Sequence, residues 1–421
     1  MPIEFPLASA IFVWTIAAAA IAAVMFRPKE WPEAVWACAG ATLLVITGVL
    51  PVREAGAAIA KGTGVYLFLT GMMLLSELAR REGVFDWLAG LAVNAAKGSR
   101  ARLFALVYLV GIVVTVFLSN DATAVVLTPA VYAAVKRART KALPYLLICA
   151  FIANAASFVL PISNPANLVV YGATLPPLLP WLRTFLLPSV CSIAGTFAVL
   201  RWIVRADLAG EIEDASPPPQ LTPEGRSAAW SIVVTGAILI AASWGGIDLG
   251  WPTCVAALAA VGIGARANFR TVRQIASDVP WSVLPLVAGL FVLVEGLNHA
   301  GAMRNVSGAL RWCAALPPAV GALAASFGIA GLSNVMNNLP AGLLAGGAVQ
   351  AARVVPHIRD SVLIGVDLGP NLSVTGSLAT VLWLIALRRE GVQIGAGQFL
   401  KIGILVTPPA LLAATLAVAF S

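Results

Sequence analysis

Four carboxylates sit within or at the edge of apolar runs in this 421-residue chain: Glu77, Asp121, Glu295 and Asp367. An ionisable group at membrane depth is costly to bury, and it marks a functional position by default. Asp121 follows Asn120 at the start of an apolar run, where a carboxylate can accept the free N–H groups of a helix's first turn. The same position suits a proton carrier, and both roles stay open. Asp367 stands two residues before Gly369-Pro370, a pair that breaks a helix. An acid beside unwound backbone is typical of ion and proton sites in transporters. Glu77 and Glu295 lie at run ends, where snorkelling to water accounts for them simply.

Neutral polar groups gather around the same places. Ser119, Asn120 and Thr123 stand with Ser163, Asn164 and Asn167 in the first half of the chain. Asn337 and Asn338 stand with Asn371, Ser373, Thr375 and Ser377 in the second. Amide and hydroxyl groups both donate and accept, so such a ring suits a neutral polyhydroxyl solute. A dicarboxylate would be better served by Arg or Lys, and neither knot has one nearby. The competing account is that the amides bond backbone carbonyls freed at helix breaks, which must hold for part of the set.

These groups must be positioned by membrane helices. Hydrophobic residues make up 60% of the chain and charged ones 11%, against a charged share of about 25% in soluble domains. The chain is therefore expected to be an all-α membrane protein. Apolar runs fall near 8–26, 34–50, 63–79, 102–118, 122–135, 143–171, 182–204, 228–247, 252–265, 282–298, 317–332, 339–352, 361–386 and 402–420. The runs that flank VFLSNDATAVVLTP and LSNVMNNLPAGLLAG are short for a crossing, which takes about 20 residues as helix. A polar break at that depth is tolerated only where protein buries it or it lines a wet cavity. One such break in each half points to the binding site of a transporter built from repeats.

The repeat can be read directly. Gly71, Glu77 and Gly83 recur at one constant spacing as Gly289, Glu295 and Gly301, and the same step carries Ser119-Asn120 onto Asn337-Asn338. Further on, LPISNPANLVV aligns with GPNLSVTGSLATV, pairing Ser163 with Ser373. The expected plan is a first repeat at 1–205, a linker at 206–227 and a second repeat at 228–421. The first holds an inward-opening hairpin near 102–136 and a broken helix at 143–171; the second holds an outward-opening hairpin near 317–352 and a broken helix at 361–386. That makes about ten transmembrane spans plus two re-entrant hairpins and two broken helices. An odd number of spans per half inverts the second half. Loops near 30, 90, 140, 210, 270 and 395 then hold about twenty of the 27 Lys and Arg and are expected in the cytoplasm. Trp31, Trp87, Trp181, Trp251, Trp281 and Trp312 fall near run ends and are expected to be interfacial anchors.

Other chemistry is excluded. The five cysteines stand singly, with no metal-binding spacing. HExxH, GxSxG and Walker A patterns are absent, so neither a catalytic residue nor a cofactor is expected. The net charge of +8 is explained by cytoplasmic loops, not by nucleic acid.

SNDATAVVLTP, MNNLPAGLLAG and above all IGVDLGPNLSVTGSLATVLWL followed by FLKIGILVTPPALL resemble the arsenical pump membrane protein (ArsB) family of the ion transporter superfamily. The resemblance covers nearly the whole chain. It implies an inverted-repeat fold and a multi-pass exporter of the bacterial inner membrane. Arsenite or antimonite would be carried as neutral trihydroxy species in exchange for protons, with no structural metal. In some members a cytoplasmic ATPase, ArsA, is a partner. The resemblance puts the hairpin tips at Ser119-Asn120-Asp121 and Asn337-Asn338, and the breaks at Ser163-Asn164 and Gly369 to Ser373. Relatives that move sodium with dicarboxylates have Ser-Asn-Thr at each tip. Here Asp121 and Asn337-Asn338-Leu339 depart from that pattern, which favours proton coupling through Asp121 and Asp367. Two rivals remain: a sodium/proton antiporter of the NhaD kind, and an intramembrane hydrolase using Asp121 and Asp367 as an acid pair.

Overall fold

A computed structural model describes residues 7–172, 175–212, 220–264 and 269–420. Among them there is no strand, only a single bridge between Ser99 and Glu211. The first half runs through α1 (Leu7–Phe26), α2 (Glu33–Ile46), α3 (Val52–Lys61), α4 (Thr63–Arg81), α5 (Val84–Ala95) and α6 (Arg100–Phe117). It continues with α7 (Asn120–Ala122), a π-helical turn at Thr123–Leu127, α8 (Thr128–Arg137), α9 (Leu143–Ala155), α10 (Pro165–Tyr171) and α11 (Leu178–Ile203). The second half repeats this order as α12 (Pro223–Trp244), α13 (Gly250–Gly264), α14 (Phe269–Asp278), α15 (Val283–His299) and α16 (Ala302–Ala314). After these come α17 (Pro318–Met336), α18 (Asn338–Ala352), α19 (Pro356–Leu368), α20 (Leu378–Arg389) and α21 (Ala396–Ala419).

The repeated glycines have physical reasons. Gly83 and Gly301 precede α5 and α16 with φ of 71° and 86°, a region that side chains with a Cβ avoid. Gly71 lets α4 approach α13, since a Cβ there would lie 2.6 Å from the Thr253 carbonyl oxygen. Gly289 does the same for α15 against α2, with the Ala37 carbonyl carbon 2.8 Å away.

Among the described residues, six helices are long and apolar enough to cross a bilayer, or up to eight if the bent pairs α3–α4 and α14–α15 each count as one span. Their exposed faces carry bare Leu, Val, Ile and Trp, as lipid contact requires. The helices pack mainly in two groups, α1–α4 with α12–α15, and α5–α11 with α16–α21, and the groups touch through α15 on α18 and α4 on α5 and α10. Within the second group the halves interlock. α10 packs on α18, and α20 packs on the π-helical turn after α7.

Four expectations need adjustment. Helices α3, α14 and α16 fall outside the apolar runs because each buries only one stripe, and α5 does because, though apolar, it has only 12 residues. Trp181 is no interfacial anchor: it is fully buried, stacks near Phe185 and Tyr171, and donates Nε1–H to the Phe158 carbonyl at 3.2 Å. The expected 206–227 linker is already helical from Pro223, where the Thr222 hydroxyl caps the Gly225 N–H; residues 213–219 lie outside the described residues. The hairpin arms α6 and α17 have 18 and 19 residues, so they are not short of a crossing. What sets them apart is the buried polar turn at the end of each.

Candidate functional site

The first tip forms where α6 stops at Phe117. Ser119 is extended and its hydroxyl accepts the Ala122 N–H at 3.1 Å, while Asn120 Oδ1 accepts the Asp121 N–H at 2.9 Å. Thr123 is turned inward, 2.8 Å from the Thr115 hydroxyl. The second tip is Asn337, whose backbone sits at φ 74°, ψ 153°. Its Oδ1 accepts the Leu339 N–H at 3.4 Å, and its Nδ2 reaches the Thr375 carbonyl at 3.5 Å. That backbone region is essentially a glycine region, so the tip is held under strain by its surroundings.

The breaks stop two helices of equal length, α9 and α19, which match end to end in the repeat: Leu143 falls on Pro356 and Ala155 on Leu368. The same step equates the two caps that restart the chain. Asn164 Oδ1 accepts the Ala166 N–H at 2.9 Å, and the Ser377 hydroxyl accepts the Ala379 N–H at 3.2 Å. Ser163 therefore matches Gly376, not Ser373. In the first break Ser163 donates to the Val116 carbonyl at 3.1 Å, tying the break to the tip. Asn167 Nδ2 donates to the carbonyls of Ser157, Leu160 and Pro161. In the second, Asn334 is the hub. Its Nδ2 donates to the carbonyls of Ala330 and Gly369, and its Oδ1 accepts the Ser373 hydroxyl at 2.6 Å. Thr375 donates to the Asn334 carbonyl at 3.2 Å.

The two breaks are joined across the halves. Asn154 Nδ2 donates to Asn371 Oδ1 at 3.0 Å, and Asn371 Nδ2 donates to the Phe151 carbonyl at 2.9 Å. Asp367 is completely buried and has no cationic partner among the described residues. Its Oδ2 accepts the Ser157 hydroxyl at 2.8 Å and its Oδ1 accepts Asn164 Nδ2 at 2.9 Å. Both donors come from the first half.

The elements meet at a void of about 10 Å³, lined by Asn120, Asp121, Asn164, Asn338 and Ser377 with Leu69, Pro165, Val283, Leu339 and Leu378. That is room for about one water. Both tips and both breaks thus contribute a polar side chain to one point. From there a cavity of about 850 Å³ opens to one face, reaching Ser119, Asp121 and Ala122 at its inner end. Its mouth carries Glu77, Arg80, Asp86, Asp278, Arg389 and Glu390. Glu77 is buried and held through both carboxylate oxygens by Arg80, which also lies 3.6 Å from Asp278. Glu295 is paired with Lys61 at 3.1 Å instead.

The expected site residues therefore divide. Asn120, Asp121, Asn164, Asn338 and Ser377 line the void, and Ser119 lines the cavity. Thr123, Ser163, Asn167, Asn337, Asn371, Ser373 and Thr375 bond to neighbouring backbone or to one another. Asp367 lies behind Asn164. Its oxygens bond Ser157 and Asn164, not Asp121, so no acid pair of the hydrolase type is formed. Asn154, Ser157 and Asn334 were missed. The repeat held a signal for one of them, since Asn154 and Asp367 occupy the same place on the matched helices α9 and α19.

Long apolar helices, polar tips at the ends of α6 and α17 and paired helix breaks mark a multi-pass membrane transporter. The chain belongs to the citrate transporter (CitMHS) family, whose model matches residues 12–366. It is 28% identical to the arsenical pump membrane proteins of Yersinia enterocolitica, over 430 residues, and of Escherichia coli K12, over 436 residues. Each of those matches covers 96% of this chain and 96% of the relative. The putative arsenical pump membrane protein of Bacillus subtilis is 24% identical, covering 91% of this chain and 93% of that protein. The crystal structure of the YdaH transporter of Alcanivorax borkumensis superposes with a TM-score of 0.56 at 15% identity, covering 87% of this chain and 86% of that one.

Proposed function

We propose that this protein exports arsenite and antimonite as neutral trihydroxy species, in exchange for protons, by alternating access around the void between the two tips. The observation that carries the reading is the lining of that void: three amides, a hydroxyl and one carboxylate, with no Lys or Arg. Such groups can give and take hydrogen bonds with every hydroxyl of an uncharged solute. A citrate anion would meet Asp121 with no cation to offset it. The arsenical pump relatives, matched from end to end, support the same solute.

In this reading the cavity opens to the cytoplasm, because its mouth holds Arg80 and Arg389, in the last turns of α4 and α20, and such basic helix ends favour the inner face. The membrane is the bacterial inner membrane, and the ATPase ArsA would dock on that face where it is present. The domain plan is two repeats, 1–205 and 228–421, joined by 206–227. Proton binding at Asp367, and at Asp121 beside the void, favours one of two conformations with different solute affinity; a ligand shifts an equilibrium only by that difference. The test is arsenite flux in proteoliposomes under an imposed pH gradient. Uphill movement is expected, and downhill movement alone would reduce the protein to a channel.

A buried acid at a helix break would serve a sodium/proton antiporter of the NhaD kind equally well, and Asp367 is such an acid. Sodium-dependent dequenching of a pH dye, with none from arsenite, would select that reading.

A further inference from the structure

Ser157 stands in the stretch just after α9, and nothing in its sequence context marks it out. Its hydroxyl lies 2.8 Å from Asp367 Oδ2 and 2.8 Å from the Asn154 carbonyl oxygen, so its one proton has two acceptors to choose between. The other donor to Asp367 has no such choice. Asn164 Nδ2 can only donate, and Asn164 Oδ1 is already held by the Ala166 N–H. The two carboxylate oxygens therefore differ in kind. A proton arriving on Oδ1 would point at an N–H group and break the Asn164 contact. A proton arriving on Oδ2 requires only that Ser157 turn its own proton to the Asn154 carbonyl and accept the new one.

We propose, resting on the proton-coupled reading above, that Asp367 takes its proton on Oδ2. In this proposal Ser157 is the positioning residue that makes this possible, and Asn164 passes the change to the solute void. With Asp367 ionised, the Asn164 side chain is fixed at the edge of the void by a charge-assisted hydrogen bond from Nδ2 to Oδ1. With Asp367 neutral, that bond weakens by about half, and the amide that lines the void is freer to turn. No heavy atom need leave its place at Ser157, and no bond other than O–H is made or broken. The repeat mate of Asp367 is Asn154, which cannot titrate, so the relay exists on one side only. Titratable groups on the helices packed around α19 are Tyr145 and Cys149 on α9, Tyr171 on α10, Arg304, Arg311 and Cys313 on α16 and Lys401 on α21. None of these is a hydrogen-bond partner of Asp367. Asp121 faces the void from the other side of Asn164.

The experiment compares wild type, Ser157→Ala and Ser157→Thr, full length in proteoliposomes, reading the pH profile of the KM for arsenite. Removing a hydroxyl that favours the ionised carboxylate should move the Ser157→Ala profile to higher pH by roughly one unit, a tenfold change in proton concentration. Ser157→Thr, which keeps the hydroxyl, should restore the profile. A profile unmoved in Ser157→Ala overturns the proposal, and so does one that Thr fails to restore. Should Ser157→Ala not insert, infrared difference spectra of wild type across pH decide. A carboxylic-acid carbonyl band absent from Asp367→Asn and displaced in Ser157→Cys, whose thiol is a weaker hydrogen-bond partner, is expected, and a band indifferent to Ser157→Cys overturns it. Wild type that shows this band yet moves no arsenite would instead sink the solute assignment and leave the protonation site standing.

Discussion

The two hairpin tips are made from the same plan and behave differently. Asn120 and Asn338 occupy equivalent places in the repeat, and both line the void. One residue on, the first tip has Asp121 and the second has Leu339. The first tip stands at the end of an open cavity of about 850 Å³, whereas Leu339 lines only the void. The first begins from an extended Ser119, and the second from a strained Asn337. A repeat thus supplies a symmetric frame in which acid, access and strain are placed on one side or the other.

Four measurements would break or sharpen the contrast. Asp367→Asn should give the largest effect, complete loss of the pH dependence of arsenite flux with insertion intact. Unchanged coupling in vesicles would remove this acid from the mechanism. Next, cysteine placed at Asp121 should react readily with a membrane-impermeant thiol reagent from the cavity side, while cysteine at Leu339 should be spared. Equal labelling would mean that the two tips share access. Third, Asn338→Ala removes a void-lining amide worth about 0.5–1.5 kcal/mol in hydrogen bonding, so KM should rise roughly threefold to tenfold with little change in insertion. The smallest effect is expected from Asn337→Gly. It relieves strain of about 1–3 kcal/mol but forfeits a cap worth about 1 kcal/mol, so thermal stability should hold or rise slightly. Ser119→Ala, with a cap to lose and no strain to relieve, should lower stability by about 1 kcal/mol in the same assay.

Much of this architecture could be read from residue types. Charge-free runs interrupted by Asn, Ser, Gly and Pro leave few ways to satisfy a backbone inside a bilayer. The recurrence of Gly83 as Gly301 reflects a backbone angle, which a substitution cannot easily evade. The amphipathic helix α16 escaped notice because it buries only one face, whereas α5 is apolar but has only 12 residues, too few for a crossing. The division of the amides was also out of reach. Asn164 and Asn167 differ by three positions, yet one faces the void and the other grips three carbonyls. Nothing in the side chain distinguishes a ligand from a brace; only the direction of the helix restart does. Ser157 was invisible for a related reason, since its partner Asp367 belongs to the other half of the chain.

The seating of α10 against α18, and of α20 against the turn that follows α7, has a consequence for biogenesis. When translation has passed Tyr171, the amino-terminal portion holds Asn164 and Asn120 without the surfaces that later enclose them. Closure waits for Asn338 and Ser377 to emerge, after most of the second half has been made. In the interval those amides must be sheltered by lipid headgroups, water or insertion machinery. A ribosome stalled before residue 377 should therefore leave an intermediate that proteases or quality control can recognise.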